Sequence, residues 1–295
     1  KGLERLAAEC WNLYLQRDKS IIVDLFQGQL RSQICCCSCG FVSTKFDSFM
    51  YLSLPVVDQT GAQLGSLGEC LREFAKEENL RGNDRWFCPE CKMHVDAVKQ
   101  LSLWKAPLVL LVHLKRFRVD MSPARTSSYS GAGGSSATGG AGGSANSLTT
   151  WYGQALYNGL WCSTSLTPAE VQTPVSKKLS HQVHFDLRNL DLAALGALPA
   201  ASAQKVPPVY DLYAIVDHFG SCGFGHYTAT VWHDGAGWHR FNDEVVSPVS
   251  PEEVVSEKAY LLFFRQKEAL VRTQTQSFPD AWPHLIEREW SFLGR

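Results

Sequence analysis

Two sets of residues in this chain have the types and spacing to do chemistry. The first centres on His226, which leaves a glycine-bearing loop (His218 to Gly225) and enters an apolar strand, with Asn242 and Asp243 returning beside it on a second strand. Between Thr228-Ala229-Thr230-Val231-Trp232 and Trp238-His239-Arg240-Phe241-Asn242 lies His233-Asp234-Gly235-Ala236-Gly237, whose Asp-Gly and second Gly are hairpin-turn residues. With an odd number of residues in the turn, His226 and Asn242 project from one face as diagonal cross-strand neighbours. That leaves about 7–8 Å between their backbones, a gap side chains bridge. An imidazole whose Nδ1–H is held by an amide or carboxylate oxygen presents its other nitrogen for proton transfer, so general-base chemistry is expected. A lone strand histidine is more often a half-buried structural residue. The loop, the hairpin and the Asn-Asp pair together weigh against that here.

The second set is sulfur. In Cys35-Cys36-Cys37-Ser38-Cys39-Gly40 several thiols could pair with Cys39, but only Cys36 gives Cys-x-x-Cys, and Cys88-Pro89-Glu90-Cys91 repeats the arrangement with 48 residues between the pairs. Two thiolates at that spacing on a tight knuckle both reach one ion about 2.3 Å away. Two such pairs predict a closed tetrahedral zinc site on Cys36, Cys39, Cys88 and Cys91. A closed site has no open coordination position, so this metal is structural rather than catalytic.

The elements that must position these residues follow from periodicity. Residues 3–17 place Leu3, Leu6, Ala7, Cys10, Trp11 and Tyr14 on one helical face. Residues 20–26 read as a strand, 28–34 as its continuation or partner, and 46–56 as a strand ended by Pro55. Ser66, with Glu69 three residues on, opens a helix. Residues 97–104 and 108–117 read as strands; the second is nearly continuous in apolar residues and is expected at the centre of a sheet. From about 120 to 175 the Gly/Ser/Ala run buries too little apolar surface to offset ordering entropy and is expected to be a disordered insertion. It carries an aromatic cluster (Trp151, Tyr152, Leu156, Tyr157, Leu160, Trp161), and Thr167-Pro168 begins like a helical turn. Alternation of Val183, Phe185 and Leu187 predicts a strand, 191–195 a short helix, 196–208 a loop, 251–255 a helical turn, and 259–264 a strand that closes the sheet. Residues 267–295 read as a polar tail.

Several of these stretches carry a resemblance. Tyr210 to His218, Gly225-His226-Tyr227-Thr228-Ala229, Trp238, Phe241-Asn242-Asp243, Val245-Val246 and Ala259 to Phe264 resemble the histidine box of ubiquitin-specific proteases, which are papain-like cysteine deubiquitinases. The block from Ile21 through Phe117 resembles the fingers and central palm of the same family. Its Cys36, Cys39, Cys88 and Cys91 match the family's finger zinc ligands, and His113-Leu114-Lys115-Arg116-Phe117 matches a strand motif. The resemblance implies an α+β papain-like fold, with a palm sheet, zinc-ribbon fingers and a thumb subdomain largely absent. It implies that His226 is the catalytic base, Asn242 its orienting partner and Asp243 a polar helper, with ubiquitin and ubiquitinated proteins as partners. Departures are Asp217-His218, where members often have Asn-His, and Phe224, where glycine is common. The implied organisation is a partial catalytic domain over 1–266, with fingers at about 21–117 and palm at about 176–266, interrupted by 120–175, and a tail over 267–295.

That family carries its nucleophile in an upstream Asn-Thr-Cys box, and no cysteine here stands at a helix N-terminus where a thiolate is stabilised. Cys10 and Cys70 fall inside predicted helices, Cys162 in the insertion and Cys222 in the glycine loop. With Lys rather than Met first, the chain reads as a fragment that holds base and orienting residue but is inactive alone. The alternative is a ubiquitin-binding scaffold without activity. A net charge of −1 gives no global attraction to nucleic acid or anionic membrane, and no apolar run approaches a membrane span. Ten cysteines without a secretory signal point to metal binding and a cytosolic or nuclear home.

Overall fold

The computed structural model describes residues 2–17, 19–120, 175–195, 208–221 and 224–267. The expected insertion with its aromatic cluster and Thr167 turn, the 196–207 loop, the tail beyond 267, and Cys162 and Cys222 lie outside the described residues.

Helix α1 (Gly2–Arg17) buries Ala7 against Phe46 and Trp104, with Cys10 packed beside them. Residues 20–26, expected as a strand, form instead a short helix α2 (Ile21–Phe26). Ser20, itself extended, accepts a hydrogen bond from the Val23 N–H at 3.3 Å, and this cap overrides the β-branched run. Strands β1 (Gly28–Cys36) and β2 (Val42–Phe49) follow, then β3 (Leu52–Pro55). The single strand expected over 46–56 is therefore two strands, which join different sheets. Helix α3 (Leu67–Phe74) has the expected reciprocal cap between Ser66 and Glu69. Strands β4 (Glu78–Leu80), β5 (Trp86–Cys88), β6 (Met93–Val95) and β7 (Ala97–Lys105) complete an arm. Its sheet runs β2-β1-β7-β4, and the β5–β6 hairpin forms a separate two-stranded sheet.

The rest builds a larger sheet from β8 (Val109–Lys115), β12 (Val209–Gly220), β13 (Gly225–His233), β14 (Gly237–Asn242), β15 (Val245–Val249) and β16 (Ala259–Gln266). A ribbon of β9 (Phe117–Asp120) and β10 (Val175–Lys178), the short β11 (Leu190–Asp191) and the turn α4 (Pro251–Val254) sit around it. The order is β15-β14-β13-β12-β16-β8-β3, with β11 on β12. Among the described strands only β3 and β8 pair in parallel. The 21–117 stretch thus divides between both sheets.

Strand β8 lies second from one edge rather than at the centre, and its burial alternates. Strand β16, expected to close the sheet, is inserted between β12 and β8. Val183, Phe185 and Leu187 do pack on the core, but their segment makes only an isolated bridge at His184 rather than a strand. Residues 192–195 are a turn capped by the Asp191 carboxylate, not a helix.

The core lies on one face of the large sheet, where Leu54, Leu110, Leu114, Leu212, Ile215, Leu262 and Phe264 meet Leu67 and Leu71 of α3. Arg116 is fully buried at its margin. Its guanidinium donates to the carbonyls of Ala259 (2.6 Å), Leu179 (3.0 Å) and His181 (2.8 Å), while its own carbonyl accepts from the Leu179 N–H at 2.7 Å. These bonds satisfy most of a charge that would otherwise be costly to bury, and they tie the segment after the 121–174 interval to β8 and β16.

Candidate active site and metal centre

The histidine hairpin has the register its spacing requires. His233 pairs with Gly237 and Ala229 with Phe241, which leaves the three-residue turn Asp234-Gly235-Ala236. Extending that register sets Thr228 beside Asn242, so His226 is the diagonal neighbour on the same face. The two side chains meet: His226 Nε2 lies 2.5 Å from Asn242 Oδ1. The ring is reversed from the expectation, because the diagonal gap needs the reach of the distal nitrogen. With an amide oxygen as acceptor, Nε2 is the donor in this bond. Asp243 follows in the left-handed region (φ 50°) within the two-residue turn joining β14 to β15. His226, Asn242 and Asp243 are all exposed.

Sequence reading missed the support behind the strand. His218 is 3% exposed and pairs across to Tyr227, its ring among those of Phe117, Tyr227 and Tyr260. Burial, and then the Lys178 charge, lowers its pKa, so it is neutral there. Its Nε2 lies so close to Gly225 that a Cβ on that glycine would stand 2.1 Å from it. Gly225 is therefore required for this close approach, next to His226, and the Gly-His dipeptide was the available signal. His113, given no role from sequence, is bonded through Nδ1 to Ser53 Oγ at 2.7 Å and packs on Tyr260.

At the end of the arm the four predicted thiols converge. Cys36 Sγ is 3.8 Å from Cys91 Sγ, Cys39 Sγ is 3.7 Å from Cys88 Sγ, and all four sulfurs lie within 4.8 Å of one another. A regular tetrahedron of sulfurs about 2.3 Å from zinc has edges of about 3.8 Å, so the site fits that ion. Both knuckles are built alike. In each, the N–H four residues after the first cysteine bonds back to that cysteine's carbonyl (Gly40 to Cys36, 3.0 Å; Lys92 to Cys88, 2.8 Å) with a positive φ. Amides of Ser38 and Cys39 point at Cys36 Sγ, and the Cys91 amide at Cys88 Sγ. The Cys39 amide in particular brings Cys36 down to about 6, whereas the Cys39 thiol pushes Cys91 up to about 12. Four sulfurs this close could be thiolates together only with a cation to compensate them, and the four residues fit a structural zinc.

The other described cysteines are engaged elsewhere. Cys70 is wholly buried in α3, where burial pushes its thiol up to about 12, and Cys10 packs under α1. Cys35 and Cys37 flank the metal knuckle and are exposed. Among the described residues no cysteine is hydrogen-bonded to His226.

A mostly antiparallel sheet carrying an amide-held imidazole, joined to an arm ended by four clustered cysteines, makes this an α+β fold. Residues 2–129 and 165–264 match the family described as Ubiquitin carboxyl-terminal hydrolase, and the chain belongs to that family. It is 34% identical over 257 residues to human Ubiquitin carboxyl-terminal hydrolase 2, covering 87% of this chain and 33% of that protein. Human Ubiquitin carboxyl-terminal hydrolase 21 gives 34% over 257 residues, with 86% and 35% covered. The chain thus spans about a third of the length of these relatives. Among solved structures it is similar to the yeast SAGA DUBm (TM-score 0.59, 27% identity, 87% of this chain and 45% of that one). It is also similar to the SAGA Ubp8/Sgf11/Sus1/Sgf73 DUB module bound to ubiquitin aldehyde (TM-score 0.58, 26% identity, 88% and 46%). No helix among the described residues is long and apolar enough to cross a membrane.

Proposed function

We propose that this chain is the palm and fingers of a thiol-dependent deubiquitinase, which hydrolyses isopeptide or peptide bonds at the C-terminus of ubiquitin. His226 is the general base, Asn242 orients it through the Nε2 bond, and Asp243 is a polar helper in the adjoining turn. The attacking cysteine comes from a part of the full gene product upstream of these residues. His226 Nδ1 takes the thiol proton, the thiolate adds to the carbonyl of the last ubiquitin residue, and the imidazolium returns the proton to the leaving amine. Water then cleaves the acyl-enzyme by the same base. The single observation that carries this reading is the His226–Asn242 contact, made on a hairpin inside the family match. Ubiquitin and ubiquitinated proteins are the partners, with the cytosol or nucleus as the place of action; the neighbours bound to ubiquitin aldehyde and to monoubiquitin support the former.

One observation favours a second reading, a ubiquitin-binding scaffold without activity: among the described residues no cysteine stands in hydrogen-bond contact with His226. The two separate in one experiment. Ubiquitin carrying a C-terminal electrophile should label the full-length product and lose at least about 100-fold of that labelling on His226→Ala. A wild-type product that never labels leaves the scaffold. The 295-residue chain alone should bind ubiquitin and not turn over a fluorogenic ubiquitin substrate.

A further inference from the structure

His226 is exposed, and an imidazole at the rim of a sheet turns easily about its outer torsion. Asn242 holds one ring nitrogen, but one bond does not fix a plane. Directly across the sheet, on the side away from Asn242, His226 pairs with Phe219. The two rings lie 6.5 Å apart at their centroids, inclined by 47°. Phe219 is itself held, with Lys258 Nζ standing 4.6 Å from its ring centroid. The main chain that carries the lysine is fixed. The His218 N–H donates to the Lys258 carbonyl (2.9 Å), Ser256 Oγ accepts from the Lys258 N–H (3.2 Å), and Ser256 Oγ donates to Asp217 Oδ1 (3.1 Å). The 256–258 turn is thus clamped to β12 at two consecutive residues and lays its ammonium on the ring of the third.

We propose that Phe219, locked by Lys258, is a positioning residue: an aromatic backstop that keeps the His226 ring in the plane where Nε2–H reaches Asn242 and Nδ1 stays free as base. The ammonium on the aromatic face contributes a cation–π attraction, which restricts the phenyl ring. The phenyl ring in turn takes one side of the imidazole from water and leaves a single orientation in which both neighbours are satisfied. Removing it frees the ring to turn, and turning loses the Asn242 bond that selects the tautomer. The inference rests on the reading of His226 as the base; its test does not.

The tautomer of His226 can be read by long-range 1H–15N spectra of the 295-residue chain at about pH 8, where an ordinary histidine is neutral. Loss of signals in His226→Ala assigns the ring. The wild-type chain should show chiefly Nε2–H. Phe219→Ala should raise the Nδ1–H fraction at least about threefold, Lys258→Met should raise it less, and Phe219→Tyr should restore the wild-type ratio. A wild-type ratio in Phe219→Ala overturns the proposal, and so does a Phe219→Tyr chain as disturbed as Phe219→Ala. The signals of His113, anchored on Ser53, report the fold. If they move in Phe219→Ala, Phe219→Leu decides: it keeps bulk without the ring, and a wild-type ratio there overturns the proposal equally. Failure of the deubiquitinase reading would appear elsewhere, as probe labelling of the full-length product that survives His226→Ala.

Discussion

The arm tip and the histidine hairpin both present functional side chains at the end of antiparallel strands, yet they are held by different forces. At the tip, β5 and β6 are three residues each and pair only with one another. The apolar cluster beneath is Cys36, Cys88 and Val95, two of which are metal ligands. An isolated hairpin of that size does not persist in water, so the metal must supply what burial cannot. The histidine hairpin instead continues strands of nine and six residues whose roots, including Trp238 and Thr230, are buried. Its open end, where His226 and Asn242 stand, can be exposed and polar because packing elsewhere has already fixed the backbone. Ligation orders the arm locally; burial orders the sheet at a distance from the atoms that act.

Removing the metal should break the comparison most visibly. Chelation, or Cys88→Ser, should lower amide-exchange protection in 36–41 and 86–95 by at least about 100-fold. Protection in 212–216 and 261–264 should stay unchanged; loss in both regions would show the two to be one cooperative unit. On the sheet side, Arg116→Met should cost about 3 kcal/mol in denaturant unfolding, because one buried and two half-buried carbonyls lose their donor. The same variant should leave zinc content at one per chain.

A smaller effect concerns Asp217, 3% exposed, which faces Ser256, Arg240, Lys258 and Arg116. Burial raises its pKa above the ordinary aspartate value. The native carboxyl therefore holds its proton to higher pH than the unfolded one. Its contribution is full below the ordinary value and is lost as pH rises through the folded pKa. Asp217→Asn should accordingly raise the unfolding midpoint by on the order of 2 °C at pH 7 and not at all near pH 4. An equal gain at both pH values would exclude titration as the cause. Last, Asn242→Ala should change stability by less than about 0.5 kcal/mol, since the side chain is exposed, while the full-length product loses most of its probe labelling. A large stability loss would make Asn242 part of the scaffold.

What was legible in the sequence follows the same division. The two Cys-x-x-Cys knuckles and the histidine hairpin are local patterns, and turn length alone sets which face His226 and Asn242 share. The misreadings arise where a distant partner or a single cap decides. Ile21-Ile22-Val23 looks like a strand until Ser20 caps it, and the apolar run of β8 says nothing about which strands flank it. Insertion of β16 between β12 and β8 joins residues about 150 apart, with no local trace. Ring orientation of His226 was missed because spacing gives backbone separation but not which nitrogen spans it.

The ribbon between the two halves has a practical consequence. Asp120 and Val175 are paired strand to strand, and just inside them Arg116 and Leu179 are bonded in both directions. The junction is thus closed by its own flanks. A protease cut within 121–174 should leave two polypeptides that still co-purify, and a reporter protein spliced in at that place should ride on the sheet without disturbing it.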